Sequence, residues 1–185
     1  IVAAVVTGAG DKAFSAGGDF DAMMKLNRAN ALHWNDRMLG LAMAIRGAPI
    51  PIVAMVHGAC MGGGHELALW CDLVISAEDG IFGQTGARVG ACPTVGATQY
   101  IPRLIGDRLA KEMIFLCRTF TADEAVKIGL INKVVPKAKL KEETEAWCQQ
   151  MKGYSGQTLR ATKKSLNFES DELYASWQQG MELLA

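Results

Sequence analysis

Apolar residues come first in short unbroken runs along this chain. Ile1-Val-Ala-Ala-Val-Val-Thr7 and Pro51-Ile-Val-Ala-Met-Val56 are β-branched and apolar almost throughout, the pattern of strands covered on both faces. Leu73 to Ser76 predicts a further strand, and Ile131 to Val135 a short one ended by Pro136. Between them the spacing changes to that of helices. Arg28 to Arg46 offers Leu32, Met38, Leu39, Leu41, Ala42 and Ile45 for packing, and His65 to Cys71 reads as a second helix. Val95 to Cys117 predicts two helices broken at Gly106-Asp107, and Leu140 to Lys152 and Gln157 to Leu166 predict two more. Strand and helix therefore alternate and then give way to helix, which predicts an α/β fold. No linker, low-complexity tract or repeat beyond the strand-turn-helix unit divides residues 1–185, so one domain is expected. Ile1 starts inside a strand and Ala185 follows Met181-Glu-Leu-Leu in mid-helix. The domain is thus expected to lack N-terminal strands and a last C-terminal helix.

Two turns between these elements are rich in glycine. After the strand ending at Val56 comes His57-Gly-Ala-Cys-Met-Gly-Gly-Gly-His-Glu66. Gly62, Gly63 and Gly64 let a ligand approach the main chain, and the helix that follows directs its free N-terminal amides back toward them. After the first strand comes Gly8-Ala-Gly10, and then Lys12-Ala-Phe-Ser-Ala-Gly-Gly-Asp19. Two such turns on neighbouring strands could each donate one N–H to a developing oxyanion.

These stretches resemble the crotonase, or enoyl-CoA hydratase/isomerase, superfamily. The matching segments are Lys12 to Phe20, Val53 to Leu67, Cys71 to Ser76, Phe82-Gly-Gln84, Gly96 to Gly106 and Ala122 to Asn132, in the family's order and covering essentially the whole chain. The resemblance implies the ClpP-like spiral fold of repeated ββα units with a helical C-terminal region. It also implies an acyl-CoA substrate with no separate cofactor and a homotrimer or dimer of trimers. The amides of Gly18 and Gly63 would form an oxyanion hole for the thioester carbonyl, each donor typically worth about 2.7 to 4 kcal/mol in the transition state. Ala16, Asp19 and Phe20 fall where the family lines the adenine pocket of coenzyme A. Gly62 belongs to the same acyl-CoA-binding turn.

Glu66 matches the first of two glutamates that hydratases of this family use on the attacking water. Near a helix start its carboxylate gains from the dipole, whereas burial in an acyl pocket would raise its pKa. The second glutamate would follow Phe82-Gly-Gln-Thr85, where this chain has Gly86. Loss of one acid/base partner typically costs a factor of about 10²–10⁴ in rate. Phe-Gly-Gln-Thr-Gly partly resembles a subgroup acting on cyclic β-oxo acyl-CoA, the dihydroxynaphthoyl-CoA synthase and ring-cleaving hydrolases. The serine and aspartate that part of this subgroup carries downstream are replaced here by Ala91 and Pro93. Gly86 is read as removing volume from the wall opposite Glu66, which would suit a bulky acyl group. Three functions follow in order: hydratase/isomerase-type chemistry with Glu66 as acid/base, C–C hydrolysis of a cyclic acyl-CoA, and acyl-CoA binding without turnover.

Other polar positions carry less. His65 projects about 100° from Glu66 on a helix and is read as a packing or interface residue, and His57 as a turn former. Cys92, Thr94 and Tyr100 are expected as walls of the acyl pocket. The opening Val-Val-Thr-Gly-Ala-Gly10 resembles that of short-chain dehydrogenases. However, Tyr100, Tyr154 and Tyr174 are followed four residues on by Leu104, Thr158 and Gln178, so the Tyr-x-x-x-Lys pair is missing. Neither a Gly-x-Ser-x-Gly elbow nor a Walker loop occurs.

Composition narrows the setting. With 185 residues, half of them hydrophobic, the chain can bury a substantial core. Nineteen basic against nineteen acidic residues give zero net charge, which argues against nucleic acid or an anionic membrane as partner. Five cysteines without paired metal spacing suit a reducing cytoplasm better than a disulfide scaffold. No uninterrupted apolar run is long enough for a bilayer, so a cytoplasmic enzyme is expected.

Overall fold

The computed structural model describes residues 1–27, 30–171, 173, 175, 176 and 179. The chain winds as a series of strand pairs, each pair sending one strand to each of two sheets. β1 (Ala4–Thr7) and β2 (Ala13–Ser15) lead into α1 (Phe20–Met23) and α2 (Ala31–Arg46). β3 (Ile52–Val56) and β4 (Ala59–Met61) lead into α3 (Gly63–Trp70), and β5 (Leu73–Ala77) and β6 (Ile81–Gly83) into a 3₁₀ turn at Gly86–Val89 and α4 (Ala97–Ile105). Then come α5 (Asp107–Phe115), β7 (Thr119–Thr121), α6 (Ala122–Lys127), β8 (Lys133–Val135), α7 (Leu140–Lys152) and α8 (Gly156–Asp171). This is the ββα spiral expected, with helices in the last part of the chain.

One sheet, in the order β1-β3-β5-β8, is parallel throughout. Its central strands are apolar at successive positions because both faces are covered. Val53, Ile75 and Val135 pack with Leu140 and Trp147 under α7, while Ile52, Ala54, Val56 and Val74 face the main core. Each fully buried Val or Ile contributes about 1.5–3 kcal/mol relative to exposure. The second sheet runs β2-β4-β6-β7, parallel except for the antiparallel β6–β7 pair. Its strands have only three residues each, too few for a periodicity to show, and none was foreseen as a strand. Two glycine turns leave the ends of its neighbouring strands β2 and β4, which places them side by side.

The predicted helices are present with shifted ends. The first starts at Ala31 rather than Arg28, which lies outside the described residues, and the last reaches Asp171 rather than Leu166. The mid-helix ending expected at 181–185 also lies outside them. On α2 the expected packing face is partly wrong: Leu32 and Leu41 are exposed, whereas Arg46 is buried with its guanidinium 4.9 Å from the Tyr100 ring centroid. The guanidinium stacks on the ring face and so tolerates a position that aliphatic spacing assigns to solvent. Among the described residues no helix is long and apolar enough to cross a membrane.

Candidate active site

α3 begins where backbone freedom is needed. Gly62 caps it at φ 53° and ψ −124°, a conformation closed to side-chain-bearing residues. Its N–H donates to the Gly83 carbonyl at 2.9 Å, and the Gln84 side chain donates to the Gly62 carbonyl at 3.2 Å. Gly64 is required by closeness instead, since a Cβ there would stand 2.2 Å from the Ser15 carbonyl oxygen. The helix therefore sits directly against β2, and its first turn meets the turn at Gly17-Gly18. A Cβ placed on Gly63 would be 3.5 Å from the Gly18 nitrogen, and one on Gly17 would be 3.1 Å from the Gly63 nitrogen. Among the described residues neither the Gly18 nor the Gly63 N–H has a protein acceptor. Two adjacent unpaired amides at the wall of a cavity can hold one oxygen anion.

That cavity measures about 440 Å³. Gly18, Phe20, Gly62, Gly63, Glu66, Gly86, Cys92 and Thr94 all line it, so eight of the ten residues singled out from the sequence are brought together. The other two are elsewhere. Asp19 uses its carboxylate as the N-cap of α1, accepting from the Ala22 N–H at 3.1 Å. Ala16 stands behind the wall, its carbonyl oxygen nearest to the side-chain direction of Gly62. Sequence reasoning missed Trp34 and Met38 on α2, Met23 and Met24 beside them, and Gln84 beneath the turn. The 3.6-residue spacing of α2 marks Met38 as packing but does not say that it packs against a cavity.

Glu66 is 5% exposed. Its Oε1 accepts from the Val95 N–H at 2.9 Å and the Ala97 N–H at 3.3 Å, the amides that open α4. Its Oε2 has no partner among the described residues. Burial disfavours the charged form and pushes the carboxyl up to about 7, against the lowering effect of those two amides. Burial thus outweighs the stabilisation of the charged form, and that stabilisation comes from hydrogen bonds donated by the Val95 and Ala97 amides rather than from α3 itself. A carboxyl titrating near 7, with one oxygen fixed and the other free, can take up and return a proton at neutral pH.

The opposite side of the same turn is closed. His65 is 1% exposed, lies edge-on to Phe82 with centroids 5.9 Å apart, and its Nδ1 is 3.4 Å from the Gln84 Nε2. Burial lowers its pKa to about 4, so the ring is neutral. It borders a separate cavity of about 160 Å³ with Phe82 and Leu130, in keeping with a packing role. Tyr100, expected as a wall of the acyl pocket, is buried on the inner side of α4 with Ala42, Trp70 and Val95 and does not line the larger cavity.

Gly86 differs from its sequence expectation. It lines the cavity, yet it does not leave open volume: a Cβ there would stand 2.4 Å from the Ala91 carbonyl oxygen and 3.5 Å from the Ala91 Cβ. The Ala91 N–H donates to the Gly86 carbonyl at 2.9 Å and draws the loop into the space that a side chain would take. Backbone therefore occupies the space beside Gly86.

Comparison with known proteins shows the family. Residues 1–182 match the family model described as enoyl-CoA hydratase/isomerase. An enoyl-CoA hydratase from Bacillus anthracis is 32% identical, with a TM-score of 0.87 over 99% of this chain and 70% of that one. Pseudomonas aeruginosa DspI is 30% identical, with a TM-score of 0.88 over 98% of this chain and 70% of that one. An enoyl-CoA hydratase/carnithine racemase from Magnetospirillum magneticum is 30% identical, with a TM-score of 0.84 over 93% and 65%. With a glycine-lined cavity at the ends of β2 and β4 and a match along nearly its full length, this chain belongs to the enoyl-CoA hydratase/isomerase, or crotonase, family.

Proposed function

We propose that this protein is an acyl-CoA enzyme of the hydratase/isomerase type in which one carboxylate, Glu66, performs the proton transfers. The observation that carries the reading is the placement of Glu66 in one cavity with the two unpaired amides of Gly18 and Gly63. A thioester carbonyl seated between those amides becomes more acidic at Cα and more electrophilic at Cβ. Negative charge arising on its oxygen is met by donors that need no rearrangement. Glu66 Oε2 then moves the proton at Cα or Cβ, while the bonds from Val95 and Ala97 keep the carboxyl from rotating away. Coenzyme A enters as part of the substrate. The filled space beside Gly86 removes the reason to favour a bulky cyclic acyl group over a linear one.

Crotonyl-CoA tests this reading. Loss of its enoyl-thioester absorbance with the wild-type protein, abolished in Glu66→Gln, is the expected result. Coenzyme A thioester binding with no absorbance change in either protein would overturn the hydratase form of the proposal.

A further inference from the structure

The loop that fills the place of a residue-86 side chain also brings a thiol to the cavity. Cys92 follows Ala91 directly and lines the cavity with Glu66, Gly18 and Gly63. It is the exposed one of five free cysteines; Cys60, Cys71 and Cys117 are buried and Cys148 is half-buried. Partial burial raises its pKa, and the Glu66 carboxylate raises it further, which places the two groups within electrostatic reach of each other. Glu66 points to a ligand independently, being nine-tenths buried with an unpartnered oxygen.

We infer that Cys92 is a covalent capture site for α,β-unsaturated acyl thioesters, adding its sulfur to Cβ of a substrate whose carbonyl lies between Gly18 and Gly63. This rests on the acyl-thioester reading above. Glu66 takes the thiol proton as the S–Cβ bond forms. The C=C electron pair shifts toward Cα and the carbonyl oxygen, giving an enolate held by the two amides. The same carboxyl then returns the proton to Cα. One S–H bond and the C=C π bond break, one S–C and one C–H bond form, nothing is oxidised or reduced overall, and no co-reactant is needed. A tethered thiol competes well with water because its effective concentration is high. A thiol held in its protonated form reacts slowly with general alkylating reagents, so capture depends on a substrate bound next to Glu66.

Incubation with crotonyl-CoA at neutral pH, followed by intact mass and peptide mapping, tests the inference. One adduct with the mass of the whole crotonyl-CoA is expected on the Cys92 peptide. It is absent in Cys92→Ser, about tenfold or more slower in Glu66→Gln, and suppressed by excess butyryl-CoA, which has no acceptor carbon. Calorimetric binding of butyryl-CoA separates the failures. Binding without an adduct, or with equal labelling of Cys148, overturns capture at Cys92 and leaves the acyl-thioester site standing. An adduct that butyryl-CoA does not suppress also overturns it, since Cys92 would then be only an exposed thiol. Neither binding nor adduct overturns both readings.

Discussion

His65 and Glu66 are neighbours in sequence and in one helical turn, yet their surroundings have almost nothing in common. Both are buried, and burial moves both pKa values toward the neutral form, down to about 4 for His65 and up to about 7 for Glu66. The histidine meets Phe82 and the Gln84 amide in the packed interior. The glutamate meets two amides at the approach to α4 and keeps one oxygen toward a cavity. The rotation of about 100° per residue in an α-helix is enough to separate a structural side from a chemical one. Gly64 and Gly63 divide in the same way: the first is pressed against Ser15, and the second offers its amide beside that of Gly18. The difference teaches that burial alone does not mark a functional group here. An unpartnered atom facing a cavity does.

The largest effect that would break this contrast is on catalysis. Glu66→Gln keeps shape and both amide bonds, and the account expects turnover of an enoyl-CoA to fall by about 10²–10⁴, while His65→Gln changes it far less. Steady-state rates of the two variants decide this; equal losses would remove the distinction between the sides of α3.

Next come the pH effects on stability, which have opposite signs. Glu66 has a folded pKa above its unfolded value of 4.5. Its contribution is therefore fully present below about 4.5 and is lost as pH rises to about 7, amounting to about 3 kcal/mol. His65 has a folded pKa below its unfolded 6.5. Its contribution is present above about 6.5 and is lost as pH falls to about 4, again about 3 kcal/mol. The two slopes nearly cancel between pH 4.5 and 6.5 in the wild type. Urea unfolding across that range should show a flat profile that becomes rising with pH in Glu66→Gln and falling in His65→Gln.

Glycine replacements sharpen the contrast at smaller scale. Gly64→Ala forces a Cβ into the Ser15 backbone between two fixed elements, with an expected cost of about 3 kcal/mol. Gly86→Ala meets the Ala91 carbonyl at a similarly short distance, but in a loop that can shift, and about 1 kcal/mol is expected. Thermal unfolding of both variants measures the difference, and a reversed order would contradict the assignment of the loop as the more yielding wall.

Much of this was legible in the sequence where signals were long or local. The doubly covered strands β3 and β5 show as continuous apolar runs, and the turn carrying Gly63 and Glu66 shows as three glycines ahead of a carboxylate. The second sheet was not legible, because strands of three residues such as Ala59–Met61 carry no period. The amides of Val95 and Ala97 were not legible either. They reach Glu66 from 29 and 31 residues away, and a backbone donor leaves no mark on residue type. Gly86 was misread because a missing side chain in a sequence suggests space, whereas a folded chain fills it with whatever lies nearest, here Ala91.

The central claim is that one carboxylate and two amides suffice to form an enolate in this cavity. Exchange of the Cα protons of butyryl-CoA in deuterated water, followed by NMR, tests it without requiring water addition or a particular unsaturated substrate. The account predicts exchange with the wild-type protein and none above background with Glu66→Gln. Bound butyryl-CoA that keeps its Cα protons, or exchange that continues unchanged in the variant, would contradict it.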